Sequence, residues 1–135
     1  MVIGSSFSDV FMVMDYIPIE LGKAIHSLQT DLAASEVKTL LYQLLSGIEY
    51  MHSKWYFHRD LKSSNLLYKQ GILKICDFGM ARRFSNPLSN YTQHVVTLLY
   101  RAPELLLNPQ EDMRYPPSRT IEYDEKVDMW SIGYF

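Results

Sequence analysis

The sequence has one cysteine, almost no excess of either charge and no long apolar run. Cys76 is the only cysteine in 135 residues, which excludes an internal disulfide and predicts a reducing compartment, the cytoplasm or the nucleus. Lys and Arg number 13 against 15 Asp and Glu, so no overall positive field exists to attract nucleic acid, and no nucleic-acid partner is expected. Asp9, Asp15 and Pro18 interrupt the most hydrophobic stretch. This pattern predicts that the chain does not span a membrane.

The apolar residues are arranged with the periods of regular secondary structure. Hydrophobic residues make up 47% of the chain and charged residues 21%, which indicates a folded domain. From Ser35 to Lys54 the apolar residues recur every three or four positions, which predicts an amphipathic helix with Ser35 as its N-cap. The segment Val10–Ile17 is apolar and stops at Pro18, which predicts a mostly buried strand. A second apolar helix is expected over Val127–Phe135.

Shorter β-prone pieces follow the long helix. They are Tyr56–Phe57, Leu66–Tyr68 and Ile72–Ile75, and the last two are joined by Lys69-Gln70-Gly71, which predicts a hairpin. Residues 80–103 show no sustained period, so we expect a long irregular loop there.

Three polar motifs lie among these elements. Residues 58–65 read H-R-D-L-K-S-S-N and match the H-R-D-L-x-x-x-N signature at every fixed position. Asp77-Phe78-Gly79 follows directly behind a predicted strand, and Ala102-Pro103-Glu104 closes the long loop. Each triplet alone would be weak evidence of a functional site. In this order and in these structural contexts, the three together argue against an ordinary solvated charged loop.

With these motifs the chain resembles a eukaryotic Ser/Thr protein kinase. Residues 91–107, preceded by Pro87-Leu88, are similar to the activation segment of cyclin-dependent kinases of the PITSLRE-type branch. The resemblance implies an α+β, kinase-like fold that is partial and comprises the hinge region and the first part of the mainly helical C-terminal lobe. No G-x-G-x-x-G and no lysine ahead of the hinge strand occur. We therefore expect residues 1–135 to form a partial kinase domain, with most of the N-terminal lobe absent and the C-terminal lobe truncated.

The resemblance implies specific roles for the residues of the motifs. Asp60 would accept the proton of a substrate hydroxyl or hold that hydroxyl in line, and Lys62 would lie beside the transferring phosphate. Thr97 is assigned to the same catalytic group. Asn65 and Asp77 supply the hard oxygen ligands that Mg²⁺ prefers. The implied cofactors are therefore ATP and Mg²⁺.

The resemblance also places a set of residues around the nucleotide. They are Met14 as gatekeeper, Asp15 and Ile17 in the hinge, Glu20 near the ribose, Leu67 under the base, and Cys76 and Asp77 at the pocket edge. For the apolar members the alternative is an ordinary place in the core. Cys76 would be a candidate for covalent modification in that pocket.

The family pattern also implies regulation and substrate selection. Thr92 falls on the activating phosphorylation site, and Arg59 and Arg82 fall on two arginines that clamp the phosphate. An unmodified threonine in a loop is the alternative for Thr92.

Val95, Val96 and Arg101 match the pocket that favours proline after the target residue. The implied partners are therefore protein substrates with Ser/Thr-Pro sites and, in a full-length form, a cyclin-type protein. The implied function is ATP-dependent phosphorylation of protein Ser or Thr by a proline-directed kinase. The alternative is a catalytically dead kinase fragment that acts as a binding module or has no function.

Overall fold

A computed structural model of the protein describes residues 2–3, 10–84, 90–92, 96–107 and 120–135. Its helices are α1 (Leu21–His26), α2 (Ala34–Ser53), α3 (Pro103–Leu106) and α4 (Lys126–Gly133). Its strands are β1 (Val2–Ile3), β2 (Val10–Phe11), β3 (Tyr56–Phe57), β4 (Leu66–Lys69), β5 (Ile72–Ile75), β6 (Arg82–Arg83), β7 (Asn90–Thr92) and β8 (Thr120–Glu122). The strands form antiparallel pairs, β1 with β2, β3 with β6, β4 with β5 and β7 with β8.

Helix α2 confirms the strongest sequence prediction, apart from its first residue. It buries Leu44 and Ile48 on one face. Ser35 is not the N-cap. The residue before the helix is Ala33, whose backbone N–H donates to Glu36 Oε2 at 2.8 Å. Ser35 is instead the second residue of the helix, and Glu36, the third, accepts the backbone N–H of Ala33 as in a capping box.

The hairpin of β4 and β5 is also confirmed, with a shorter turn than expected. Its register pairs Leu66 with Ile75 and Lys69 with Ile72, so Lys69 belongs to the strand. Only Gln70 and Gly71 remain in the turn, with φ angles of 51° and 84°. Positive φ at both central residues is the signature of the type I′ turn, whose twist matches that of the flanking strands.

The prediction of a buried strand over Val10–Ile17 is wrong. Only Val10–Phe11 is extended and paired, and it pairs with Val2–Ile3 across two residue pairs. Residues 12–19 have no regular structure, and Met12 and Val13 are 71% and 75% exposed. Within the described residues no longer strand pairs with this segment, and an apolar sequence cannot hold an extended ladder without partners.

The predicted irregular loop over residues 80–103 contains short regular pieces. Strand β6 pairs with β3, and β7 pairs with β8. Turns of 3₁₀ helix span Phe78–Met80 and Leu98–Tyr100. Residues 85–89 and 93–95 lie outside the described residues. Pieces of two or three residues carry no detectable period, which is why the sequence does not reveal them.

The buried residues form two apolar clusters. The first comprises Phe57, Phe84, Val96, Ala102, Leu105, Tyr123 and Val127. The second comprises Leu21, Leu44, Ile48, Leu61, Leu66, Leu73 and Ile132. Helix α4 contributes to both, and it ends two residues before the predicted Phe135. No described helix is long and apolar enough to cross a membrane.

Candidate active site

The segment 58–65 is anchored by one buried carboxylate on α4. Asp128 is only 1% exposed. Its Oδ2 accepts the backbone N–H of His58 at 2.8 Å and the Nε2 of His52 at 2.9 Å, while its Oδ1 accepts the backbone N–H of Arg59 at 2.9 Å. Arg59 has a φ of 67°, a left-handed conformation that costs about 1–2 kcal/mol for a non-glycine residue. The carboxylate therefore holds the loop in a shape that it would not adopt alone.

His58 joins the loop to the end of β5. The backbone N–H of Asp60 points at His58 Nδ1 at 3.3 Å, and His58 Nε2 lies 3.0 Å from the carbonyl oxygen of Cys76. Because a backbone N–H can only donate, Nδ1 is the acceptor, so Nε2 carries the proton that is donated to Cys76. The fully buried imidazole thus fixes the distance between Asp60 and the segment that leads to Asp77.

Asp60 is the centre of a four-residue cluster with Lys62, Asn65 and Thr97. Lys62 Nζ lies 2.7 Å from Asp60 Oδ2, and Asn65 Nδ2 donates to the Asp60 carbonyl at 2.8 Å and to Oδ2 at 3.2 Å. Thr97 donates both its N–H and its hydroxyl to Asp60 Oδ1, each at 3.2 Å. Lys62 Nζ also reaches Thr97 Oγ1 at 3.2 Å. The structure therefore brings together all four residues assigned to catalysis.

Asn65 and Asp77 are the residues that could ligate a metal. The amide nitrogen of Asn65 is used by Asp60, and no donor among the described residues lies on its Oδ1. The backbone N–H of Cys76 donates to the Asn65 carbonyl at 2.9 Å, which brings the residue before Asp77 beside Asn65. In the described part of the chain, no group of three or more His, Cys, Asp or Glu could hold a metal alone. The two oxygen donors fit Mg²⁺ that takes its other ligands from phosphates and water.

Asp77 itself has the backbone of a sharp turn. Its φ of 59° and ψ of 70° are left-handed, and its side chain accepts the N–H of Gly79 at 3.4 Å. This bond caps the short 3₁₀ turn Phe78–Met80. Phe78 packs its ring 5.2 Å from that of His58. The D-F-G triplet is therefore attached to the H-R-D triplet through the ring contact of Phe78 with His58, next to the bond from His58 to the Cys76 carbonyl.

Several residues assigned to the nucleotide pocket share one region. Glu20 and Leu67 pair through their backbones, and the carbonyl of Ile19 accepts the N–H of Tyr68 at 2.9 Å. Burial raises the pKa of the Cys76 thiol, and the negative charges of Asp77 and Glu20 raise it further.

The residue assigned as gatekeeper and the two assigned to the hinge lie on the irregular segment before α1. Met14 is 73% exposed and Ile17 is half-buried. The Asp15 carboxylate lies 2.7 Å from Lys74 Nζ. That hydrogen bond and the charge of Lys74 lower the pKa of Asp15, with a smaller contribution from Lys69. A surface ion pair thus joins the hinge segment to β5.

The two arginines assigned to phosphate binding have other partners here. Arg59 is 2% exposed; its Nε donates to the Met80 carbonyl at 2.8 Å and its Nη1 to the Tyr123 hydroxyl at 2.7 Å. Arg82 is exposed and donates Nη1 to the Ala81 carbonyl at 2.8 Å. The backbone of Thr92 pairs with Thr120 in β7 and β8, while its side chain lies outside the described atoms.

Two of the three residues assigned to the substrate pocket, Val96 and Arg101, are in contact. Val96 is buried with a φ of 64°, which is a rare conformation for a β-branched residue. Arg101 Nη2 donates to the Val96 carbonyl at 3.0 Å and so holds the turn. Val95 lies outside the described residues.

Residues 3–135 match the family described as protein kinase domain. The chain belongs to the protein kinase family. The α+β, partial kinase-like fold expected from the motifs is thereby confirmed, and the loop of residues 58–65 corresponds in sequence to the kinase catalytic loop.

Relatives among known kinases support the finer resemblance as well. The chain is 49% identical over 133 residues to cyclin-dependent kinase G-2 of Oryza sativa subsp. indica, covering 98% of this chain and 17% of that protein. It is 46% identical to cyclin-dependent kinase 11B of Mus musculus, with 98% and 16% covered. The predicted resemblance to cyclin-dependent kinases of the PITSLRE-type branch is confirmed. The chain spans 17% of the length of the rice relative.

The fold of the chain also matches a solved structure, the yeast RNA Pol II CTD kinase CTDK-1 complex. The TM-score is 0.75 at 40% sequence identity, and the match covers 88% of this chain and 36% of that chain.

Some residues of the site were missed by sequence reasoning. Tyr123 contacts Arg59 from 64 positions away and His52 contacts Asp128 from 76 positions away. Gln43 lies on α2 but is not one of the apolar residues whose spacing predicts the helix. None of the three belongs to a motif, so only the folded chain reveals them.

Proposed function

We propose that this kinase chain carries the catalytic centre of a protein Ser/Thr kinase, which transfers the γ-phosphate of ATP to a protein hydroxyl. The observation that carries the proposal is the cluster in which Asp60 is bonded by Lys62, Asn65 and Thr97. Residues 1–135 would be part of a single, larger kinase domain, in keeping with the 36% of the solved kinase chain that they match.

Asp60 would act on the hydroxyl of the substrate. Its Oδ1 accepts the hydroxyl of Thr97 at 3.2 Å in the free chain, which supports the idea that this oxygen can accept a Ser or Thr hydroxyl in the same way. Such a contact aligns the nucleophile and takes its proton as the new bond forms. Lys62, 2.7 Å from the other carboxylate oxygen, provides a positive charge near the phosphoryl group.

Asn65 and Asp77 would hold Mg²⁺. Bound Mg²⁺ would neutralise charge on the phosphate oxygens of ATP during transfer. Asn65 would contact both Asp60 and the metal ion, because its Nδ2 orients Asp60 while its Oδ1 remains available as a ligand. Glu20, Leu67 and Cys76 would line the ribose and base side, and the backbone of Asp15 and Ile17 would receive the adenine next to Met14.

The turn at Val96 supports a preference for proline after the target residue. Its carbonyl already accepts a bond from Arg101 Nη2 at 3.0 Å, so it would be a weaker acceptor for the N–H of a substrate residue lying there. Most residues would then lose a hydrogen bond on binding, whereas proline has no N–H to lose. Val95 would complete this pocket.

Activation would depend on a phosphate on Thr92. A phosphothreonine adds nearly two negative charges and would attract Arg59 and Arg82. Arg59 would then exchange its bond with Tyr123 for one with the phosphate. Protein substrates with Ser/Thr-Pro sites and a cyclin-type partner of a longer form are the proposed partners, and the cytoplasm or the nucleus is the proposed compartment.

The proposal is tested by phosphate transfer from radiolabelled Mg-ATP to a Ser-Pro peptide by the purified chain. Asp60→Asn is expected to lower the rate by about 10²–10⁴-fold, while Asp31→Asn, at an exposed carboxylate outside the cluster, leaves the rate unchanged. A Ser-Ala peptide is expected to react more slowly than the Ser-Pro peptide. Transfer that survives Asp60→Asn contradicts the assigned role. A well-folded chain that neither binds ATP nor transfers phosphate supports the alternative of a binding module.

A further inference from the structure

Gln43 connects α2 to the turn of the β4–β5 hairpin through both ends of its amide. Its Nε2 donates to the Gly71 carbonyl at 2.9 Å, and its Oε1 accepts the N–H of Leu73 at 2.9 Å. These two backbone groups flank Ile72, the first residue of β5. The amide therefore bonds β5 on one edge much as a neighbouring strand would.

The turn that Gln43 contacts has a backbone conformation that these hydrogen bonds can stabilise. Gln70 has a φ of 51°, and a residue with a side chain pays roughly 1 kcal/mol or more for this conformation. Gly71 has a φ of 84°, and a Cβ built on it would meet nothing within 4 Å. Beside the Lys69–Ile72 pair of the ladder, the two bonds from Gln43 are the side-chain hydrogen bonds that the described residues make to this turn.

The other end of the same hairpin carries the two candidate metal ligands. Asn65 immediately precedes β4, and Asp77 lies two residues beyond β5. The N–H of Cys76 on the Asn65 carbonyl closes this end at 2.9 Å. A slip of one residue in the register would move one strand by about 3.3 Å along the other. That displacement exceeds the tolerance of a metal site, whose ligands must lie within a few tenths of an ångström of their places.

We propose that Gln43 is a positioning residue for the metal site, because it fixes the register of the hairpin that sets the spacing of Asn65 and Asp77. The effect of Gln43 on metal binding rests on the proposed function. Its effect on the register of the hairpin does not.

The variant Gln43→Leu keeps the size of the side chain and removes both hydrogen bonds. In this variant we expect amide hydrogen exchange to become about tenfold faster at Leu73 and also at Cys76, at the far end of the hairpin. We also expect the dissociation constant of Mn²⁺ in the presence of ATP, measured by electron paramagnetic resonance, to rise about fivefold or more above that of the wild-type chain.

Two control variants separate positioning from general stability. Gln29→Leu makes the same change at an exposed site and is expected to leave both readouts unchanged. Leu105→Ala lowers the melting temperature through the other apolar cluster and is expected to leave exchange at Cys76 and the Mn²⁺ affinity unchanged. Unaltered exchange at Cys76 in Gln43→Leu overturns the proposal, and so do equal effects in Leu105→Ala.

The same experiment distinguishes the two proposals. Wild-type chain that holds no Mn²⁺ beyond the amount bound by ATP alone contradicts the metal site and hence the proposed function. Exchange at Cys76 still decides whether Gln43 controls the hairpin in that case. Normal Mn²⁺ binding that survives Gln43→Leu, together with fast exchange at Cys76, shows that hairpin register does not set ligand spacing and also overturns the proposal.

Discussion

At the scale of single residues, the acid–base chemistry of the Cys76 thiol is perturbed by its surroundings. Burial favours the neutral thiol, and the charges of Asp77 and Glu20 act in the same direction, so its pKa is raised. The reactive thiolate is therefore less populated near neutral pH than it is in an exposed cysteine. Covalent modification of Cys76 is accordingly expected to be slow at neutral pH and to become faster in alkaline solution.

This expectation can be tested through the charge of Asp77. In Asp77→Asn the pKa of Cys76 should fall, and alkylation by iodoacetamide at pH 8 should become about two- to fivefold faster. The full dependence of the alkylation rate on pH checks this, with Asp31→Asn as the control. A rate profile that is unchanged in Asp77→Asn would show that Asp77 does not act on the thiol.

The raised pKa of Cys76 also makes the stability of the folded chain depend on pH. The folded chain binds the thiol proton more tightly than the unfolded chain, so the contribution is complete below the unfolded pKa and is lost as the pH rises through the folded pKa. The free energy of unfolding, measured with urea, should therefore fall in alkaline solution. Cys76→Ser should remove this part of the alkaline decline, and an identical decline in Cys76→Ser contradicts the linkage.

Tyr123 is expected to stabilise the catalytic loop through Arg59. Tyr123→Phe removes only the hydroxyl that lies 2.7 Å from Arg59 Nη1, and we expect it to lower the free energy of unfolding by about 1–3 kcal/mol because the bond involves a buried charged group. Urea denaturation measures the loss. Tyr16→Phe, at a strongly exposed tyrosine, should change the value by less than about 0.5 kcal/mol. Equal losses in the two variants would contradict a special role for Tyr123.

The division between what the sequence predicts and what it does not is clear at this scale. Asp60, Lys62, Asn65 and Asp77 are assigned from the sequence because the kinase motifs specify both residue types and spacing. Tyr123 is not, because its partner lies 64 positions away and a tyrosine hydroxyl has many uses. Pairings across long separations are properties of the fold rather than of the local sequence.

At the scale of secondary-structure elements, length decides what can be predicted. Helix α2 has 20 residues and a clear apolar period, and the β4–β5 hairpin has a glycine at a turn position that favours positive φ. Strands β6 and β7 have two and three residues, too few for any period, whereas the two-residue strand β3 agrees with the predicted piece Tyr56–Phe57. The strand expected over Val10–Ile17 failed for another reason, since an apolar segment becomes a strand only where a partner strand exists.

Helix α1 approaches the catalytic loop at a glycine. A Cβ on Gly22 would lie 2.9 Å from Ser63 Cβ and 2.8 Å from Ser63 Oγ, and Ser63 begins the 3₁₀ turn that ends at Asn65. Gly22→Ala should therefore push the helix from this turn and lower the free energy of unfolding by about 1–3 kcal/mol.

Thermal denaturation of three variants checks this contact. Adding Ser63→Gly to Gly22→Ala should restore part of the loss, because it removes the atoms that clash. Gly133→Ala, where a Cβ would meet nothing within 4 Å, should be neutral or slightly stabilising. A Gly22→Ala variant as stable as the Gly133→Ala variant would contradict close packing of α1 on the loop.

At the scale of the whole molecule, α4 connects the two apolar clusters. Val127 belongs to the first cluster and Ile132 to the second, and Asp128 lies between them on the same helix. The chain crosses the same boundary where β3 leads into the catalytic loop, with Phe57 of β3 in the first cluster and Leu61 of the loop in the second. The helix and the loop therefore support one another, and damage to their junction should affect both clusters.

Asp128→Asn tests this junction. The amide presents one acceptor oxygen where the carboxylate presents two, so the backbone N–H of either His58 or Arg59 loses its bond. We expect the free energy of unfolding to fall by about 2–4 kcal/mol. Circular dichroism should follow unfolding as a single transition at a lower urea concentration. A loss below about 0.5 kcal/mol would show that the loop does not depend on this carboxylate.

The bonds from Asp128 to the loop have a consequence for synthesis on the ribosome. The carboxylate lies 70 residues after His58, so the H-R-D triplet is translated long before its anchor exists. At about 5–20 residues per second, several seconds pass in which the nascent loop has no acceptor for its backbone N–H groups. Assembly of the catalytic geometry is therefore a late, post-exit event, and chaperones have their longest opportunity to bind this segment while α4 is still in the exit tunnel.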